Sequence, residues 1–129
     1  MSFNPLELLR LCKSLNKVAS GVNPETIART IISRAYYSAF LYAREYLRIK
    51  HHVLFTGKGQ DHIIVENALM TKVDRQLGST IRTLRENRRV ADYDLHSPAR
   101  CGRWRTLSFD QNAQNDNIRL AEFVTNSLP

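Results

Sequence analysis

Cysteine is scarce in this chain. Its 129 residues contain only Cys12 and Cys101, with no CxxC pair and no cluster of Cys and His at metal-ligand spacing. That argues against a zinc module and against a disulfide-stapled scaffold. Cys12 reads as a small core residue on a helix, and Cys101 as a loop thiol. No run of about 18 apolar residues occurs, so no membrane span is expected. The segment MSFNPLELLRLCKSL lacks the charged start and cleavage site of a signal peptide, and a cytoplasmic location is the expectation. No segment alternates with period two, and there is no internal repeat or low-complexity tract. Acidic residues are also few, twelve against nineteen Lys and Arg, for a net charge of +7.

What is present fits one helical domain. An apolar fraction of 43% supports a real core at this length. The charge excess is concentrated. Arg82 to Arg105 holds seven arginines against Glu86, Asp92 and Asp94, and Arg44 to Lys58 holds four cations against Glu45. Such clustering suits a polyanion, nucleic acid first and acidic protein second, against the alternative of a merely solvated basic surface.

Five helices can be read. The first is capped by Asn4 with Pro5 at its first position, and Leu8, Leu11, Leu15 and Val18 form its apolar face before Gly21 ends it. The second repeats the Asn-Pro signal at Asn23 and Pro24 and runs to about Lys50. Ile27, Ile31, Ala35, Phe40, Ala43 and Leu47 are its core candidates, and Ala35, Ala39 and Ala43 allow a close helix approach. His51 to Gln60 reads as a loop. A third helix follows, capped by the Asp61 carboxylate, with Ile63, Ile64 and Leu69 inside. Met70 to Val73 is a connection or kink. The fourth helix carries Val73, Leu77, Ile81 and Leu84 and ends between Arg89 and Asp94. HSPARCGRWRTL reads as a loop. Ser108, with Gln111 as its capping-box partner, opens the fifth helix, whose stripe is Phe109, Ala113, Leu120, Ala121, Val124 and Leu128. Long helices with short connections imply an all-α, up-and-down bundle.

Two stretches stand out, SRAYYSAFLYAREYL (Ser33 to Leu47) and RENRRVADYDLH (Arg85 to His96). The first resembles the second helix of HEPN domains, especially the small prokaryotic kind paired with minimal nucleotidyltransferases. Arg34, Tyr36, Tyr37, Phe40, Ala43 and Leu47 carry that likeness. His62 falls where those proteins often place a histidine at the start of the third helix. Arg88, Ala91, Asp92, Tyr93 and Asp94 match their R-x-x-ADYD segment, and Ala121, Glu122 and Phe123 their closing helix. The resemblance spans nearly the whole chain and implies a four-to-five-helix bundle that usually dimerises. Many members are metal-independent ribonucleases with an R-x(4–6)-H motif, often toxins of toxin–antitoxin or defence systems. Others bind nucleotide or RNA without catalysis, or partner a nucleotidyltransferase antitoxin. No cofactor is implied.

Arg89 and His96 fit the motif, and so do Arg44 and His51; position in the ADYD segment favours the first pair. On this reading His96 is a general acid or base on the ribose 2′-OH or the leaving 5′-oxygen. Arg89 or Arg88 stabilises the phosphorane, with Asp92 and Tyr93 beside them. If the helix continued through residue 96, Arg89 and His96 would share a face about 10.5 Å apart along the axis. Arg85, Arg100, Arg103 and Arg105, with Trp104 as a stacking platform, are the candidate contacts to RNA, tRNA among the possibilities. The chain departs from the R-N-x-x-A-H-x-Y toxin pattern: Asp92 stands at the histidine position and Asn87 at the arginine position. Structural roles compete with these. Asp92 can pair with Arg34 or Arg88, Tyr93 can pack on the second helix, Tyr36 and Tyr37 can be core or dimer-interface residues, and His62 can be a helix-start hydrogen-bonding residue.

Overall fold

A computed structural model describes residues 3–17, 21–101 and 105–129, which form five helices and one hairpin. Helix α1 spans Leu6–Lys17, α2 Pro24–His51, α3 Asp61–Lys72, α4 Arg75–Tyr93 and α5 Gln111–Ser127. α2 is the central column. It touches every other helix, and α1, α5, α4 and α3 follow one another around it, adjacent members in contact. The all-α bundle is therefore the observed architecture.

The caps show why the chain breaks where it does. Asn4 Oδ1 accepts from the Leu6 amide at 3.0 Å, and Asn23 Oδ1 from the Glu25 amide at 2.8 Å, with Pro24 at the first turn of α2. α2 stops at His52, which takes a left-handed conformation (φ 53°). Asp74 caps α4 through the Gln76 amide at 2.7 Å. Two expected caps are corrected. Asp61 is the first residue of α3, and its carboxylate reaches back to the Thr56 amide and hydroxyl and the Gly57 amide at 2.8–2.9 Å, bracing the preceding loop. Burial pushes its pKa up, but those hydrogen bonds and Arg44 outweigh it, and the carboxyl lies below its usual range. At α5 the cap is Asp110, not Ser108: Asp110 Oδ1 accepts from the Ala113 amide at 2.9 Å.

The main core gathers Ile31, Ala35, Tyr36, Ala39, Phe40, Ala43 and Leu47 of α2 with Leu77, Ile81 and Leu84 of α4 and Ala121, Val124 and Leu128 at the C-terminal end. On α1 the buried face is rotated one residue from expectation. Leu9 and Cys12 are buried, whereas Leu11 is 44% exposed. Val18 lies outside the described residues. On α3, Val65, Ala68 and Leu69 face inward and Ile63 is exposed. Gly78 marks a close crossing of α3 and α4, where an added Cβ would lie 2.8 Å from the Glu66 carbonyl oxygen.

A second, smaller core positions the end of α4. Ala28 and Ile32 of α2, Val90 and Ala91 of α4, and Phe109 and Ala113 meet Ala99, Cys101 and Leu107. The last three belong to a hairpin that no sequence signal announced: β1 (Ala99–Cys101) pairs antiparallel with β2 (Arg105–Leu107), Ala99 opposite Leu107. Three residues per strand are too few for alternation to register. Cys101 is accordingly buried rather than exposed on a loop. Both cysteines are free thiols, in different cores.

Candidate functional site

The candidate site lies at the C-terminus of α4. The helix ends at Tyr93, so Arg89 and His96 do not share a helical face; Arg89 stays on α4 and His96 follows in the turn toward β1. They nevertheless border one open depression of about 470 Å³, together with Tyr93, Asp94, Leu95 and Arg100. β1 alternation buries Ala99 and Cys101 and turns Arg100 outward.

Asp94 organises the turn. Its Oδ1 lies 2.9 Å from both the His96 amide nitrogen and His96 Nδ1. Those backbone and side-chain hydrogen bonds from His96 hold the Asp94 carboxyl below its usual pKa. An ionised carboxylate only accepts, so Nδ1 carries the proton and, in the neutral ring, Nε2 carries the lone pair. The His96 side chain is 89% exposed, so that nitrogen is open to a substrate. The Asp-His arrangement has the logic of a base oriented by a carboxylate.

A residue from α2 holds this turn. Arg29 donates to the carbonyl oxygens of Val90, Ala91, Asp94 and His96. No sequence signal marked it, because its partners lie 61 to 67 positions away. Asp94 as the partner of His96 was missed as well, and the D-x-H spacing of ADYDLH is the signal that could have found it.

The remaining candidates divide. Tyr93 is 74% exposed and borders the depression, so it does not pack on α2. Arg88 turns the other way, toward Asp92 (3.6 Å) and over the Tyr36 and Tyr37 rings at 5.5 and 5.4 Å. Asp92 also accepts from the Ser33 hydroxyl at 3.3 Å, so of its two expected partners it takes Arg88. Arg85 grips Glu66, with Nε 2.6 Å from Oε1. Arg105 reaches the Asn87 side chain at 2.8 Å, Cys101 Sγ at 3.1 Å and Glu86 at 3.6 Å. Arg103 and Trp104 lie outside the described residues. Arg89, Tyr93, His96 and Arg100 thus converge, whereas Arg85, Arg88, Asp92 and Arg105 are engaged elsewhere.

A second polar group lies between α2 and α3. Tyr36, fully buried, hydrogen-bonds through its hydroxyl with His62 Nδ1, and the imidazole stacks on Phe40 with centroids 4.3 Å apart. Burial, then the charges of Arg88 and Arg85, lower the His62 pKa. This pair locks α3 to α2. Among the described residues, no group of three or more His, Cys, Asp or Glu could hold a metal ion. No helix among them is long and apolar enough to cross a membrane.

A protein of the archaeon Methanocaldococcus jannaschii, named uncharacterized protein MJ0628, is 30% identical to this chain, and the match covers 76% of this chain and 68% of the archaeal one. No family model matches the chain, and no solved structure does.

Proposed function

We propose that the chain, which belongs to the family of the archaeal MJ0628 protein, is a HEPN-type endoribonuclease that cleaves RNA without a metal. The observation that carries this reading is the shared depression. It holds an imidazole oriented by Asp94, two arginines that have no carboxylate partner among the described residues, and an exposed tyrosine ring.

In this reading His96 Nε2 takes the proton of a ribose 2′-OH. The oxygen attacks the adjacent phosphorus, and Arg89 and Arg100 stabilise the charge on the phosphorane oxygens. The bond to the 5′-oxygen breaks. The 5′-oxygen takes a proton from the imidazolium or from water, leaving a 2′,3′-cyclic phosphate and a 5′-hydroxyl. Tyr93 offers its ring to an unpaired base. The expected setting is a cytoplasmic toxin–antitoxin or defence pair, the protein acting as a homodimer with a nucleotidyltransferase as antitoxin.

The test is incubation of the purified protein with total tRNA in EDTA. Cleavage with cyclic-phosphate ends is expected, reduced about 10²-fold or more by His96→Ala and by a comparable factor by Arg89→Ala. No cleavage by the wild-type protein, or cleavage indifferent to both substitutions, refutes the reading.

A second reading has its own support. Asn87 and Asp92 occupy the positions of the toxin motif's arginine and histidine. Asn87 is buried, donating to Asn117 at 3.0 Å, and Asp92 is tied to Arg88 and Ser33. A non-catalytic module that holds RNA or nucleotide through the same cations would bind in the tRNA assay without cutting.

A further inference from the structure

We infer, building on the nuclease reading above, that Arg29 is the positioning residue of this site: its guanidinium fixes the turn that carries Asp94 and His96. The segment from Leu95 to Pro98 is exposed throughout, with Leu95 91% accessible. Packing therefore does little to hold it. The Asp94 carboxylate orders the turn internally, but nothing in that bond attaches the turn to the bundle. Arg29 makes the attachment. Its Nη1 lies 3.2 Å from Val90 O, 3.0 Å from Ala91 O and 2.5 Å from Asp94 O, and its Nη2 lies 3.1 Å from His96 O.

Two of these carbonyls belong to the last turn of α4, where a cation is favoured; Val90 O also accepts from the Asp94 amide at 3.0 Å. The other two bracket the peptide units on either side of Leu95. One planar fork thus fixes the helix end and both ends of the dyad relative to each other. The guanidinium is itself fixed: its carbon sits 3.9 Å over the Phe109 ring, Nε lies 3.3 Å from Glu25, and the side chain is only 17% exposed. Lysine can replace the charge, but one ammonium cannot replace a fork spread over four oxygens.

The experiment compares wild type with Arg29→Lys and Arg29→Ala by circular dichroism, RNA cleavage kinetics, and NMR relaxation and amide exchange across residues 90–98. In Arg29→Lys a fold-intact protein is expected to lose about 10- to 100-fold in kcat with KM within about twofold, since a displacement of about 1 Å at a reacting group can cost this much. Mobility should rise at Asp94–His96 and not in α3 or the first half of α4. In Arg29→Ala, added guanidinium should restore part of the lost rate. Unchanged mobility at 94–96 in Arg29→Lys overturns the inference, as does loosening spread evenly over the bundle. The relaxation measurement needs no substrate. Absence of cleavage by wild type would therefore sink the nuclease reading while still leaving the placement of the turn decided.

Discussion

Arg85 offers the sharpest separation of folding from binding. It lies in the basic α4 segment expected to contact RNA, yet its side chain closes on Glu66, a carboxylate only 1% exposed. Nε and Nη2 of Arg85 lie 2.6 and 3.3 Å from the two Glu66 oxygens, and Arg82 adds a longer contact at 3.9 Å. Replacing Arg85 with Met keeps the apolar stem and removes the fork. The carboxylate then stays buried with one distant partner. Breaking a buried pair costs roughly 3–5 kcal/mol. Arg82, half exposed and able to move closer, puts Arg85→Met at the low end, about 3 kcal/mol. For 129 residues at about 2.1 cal/mol/K per residue, the unfolding entropy is about 0.27 kcal/mol/K, so Tm should fall by about 11 °C. Glu66→Leu should cost less, about 1 kcal/mol, because Arg85 is 30% exposed and can turn to water. The double variant should resemble Glu66→Leu, giving a coupling of about 3 kcal/mol in urea and thermal melts. RNA affinity of Arg85→Met, measured well below its melt, should match wild type, whereas Arg100→Ala should weaken binding and flatten its salt dependence. A loss under about 1 kcal/mol for Arg85→Met, or additive singles, would refute the buried-pair argument.

Gly78→Ala trades a helix-propensity gain of about 1 kcal/mol against a Cβ that meets the Glu66 carbonyl at 2.8 Å and the Met70 side chain. Because backbone must move, a net loss of about 1 kcal/mol is expected; a higher Tm would show that α3 and α4 separate freely. His62 has a native pKa below its ordinary value of 6.5. An unfolded chain therefore binds that proton first as pH falls, so the stability from His62 is complete above about pH 6.5 and is lost as pH drops toward the native value. The Tm difference between wild type and His62→Phe should shift in favour of the Phe variant over that interval, and a pH-independent difference would contradict the assignment. Burial pushes the Cys12 thiol up to about 12 and raises Cys101 as well. Neither should react with a thiol reagent at pH 8 until the protein is unfolded, and rapid labelling of the native state would disprove their enclosure.

Much of the architecture was written into local chemistry. Asn4-Pro5 and Asn23-Pro24 announced two helix starts because capping and φ restriction act within a few residues. Leu77, Ile81 and Leu84 announced the buried face of α4 because a helix repeats every 3.6 residues. The cationic segment was visible because charge can be counted along the chain. Non-local partners settled the rest. The α1 face turned by one residue because Leu9 and Cys12, not Leu8 and Leu11, meet the core. The Ala99–Leu107 hairpin formed because Cys101 and Leu107 found Val90, Ile32 and Phe109. Which arginines face solvent was decided by Glu66, Asp92 and Asn87, each supplied by packing.

Composition and periodicity alone determined that this chain is a basic helical bundle, since those signals repeat along the chain and need no knowledge of its neighbours in space. Only the tertiary structure decided which side chains share the depression beyond α4. A guanidinium on α2 anchors a turn more than sixty residues away, and contacts of that range follow from how helices pack.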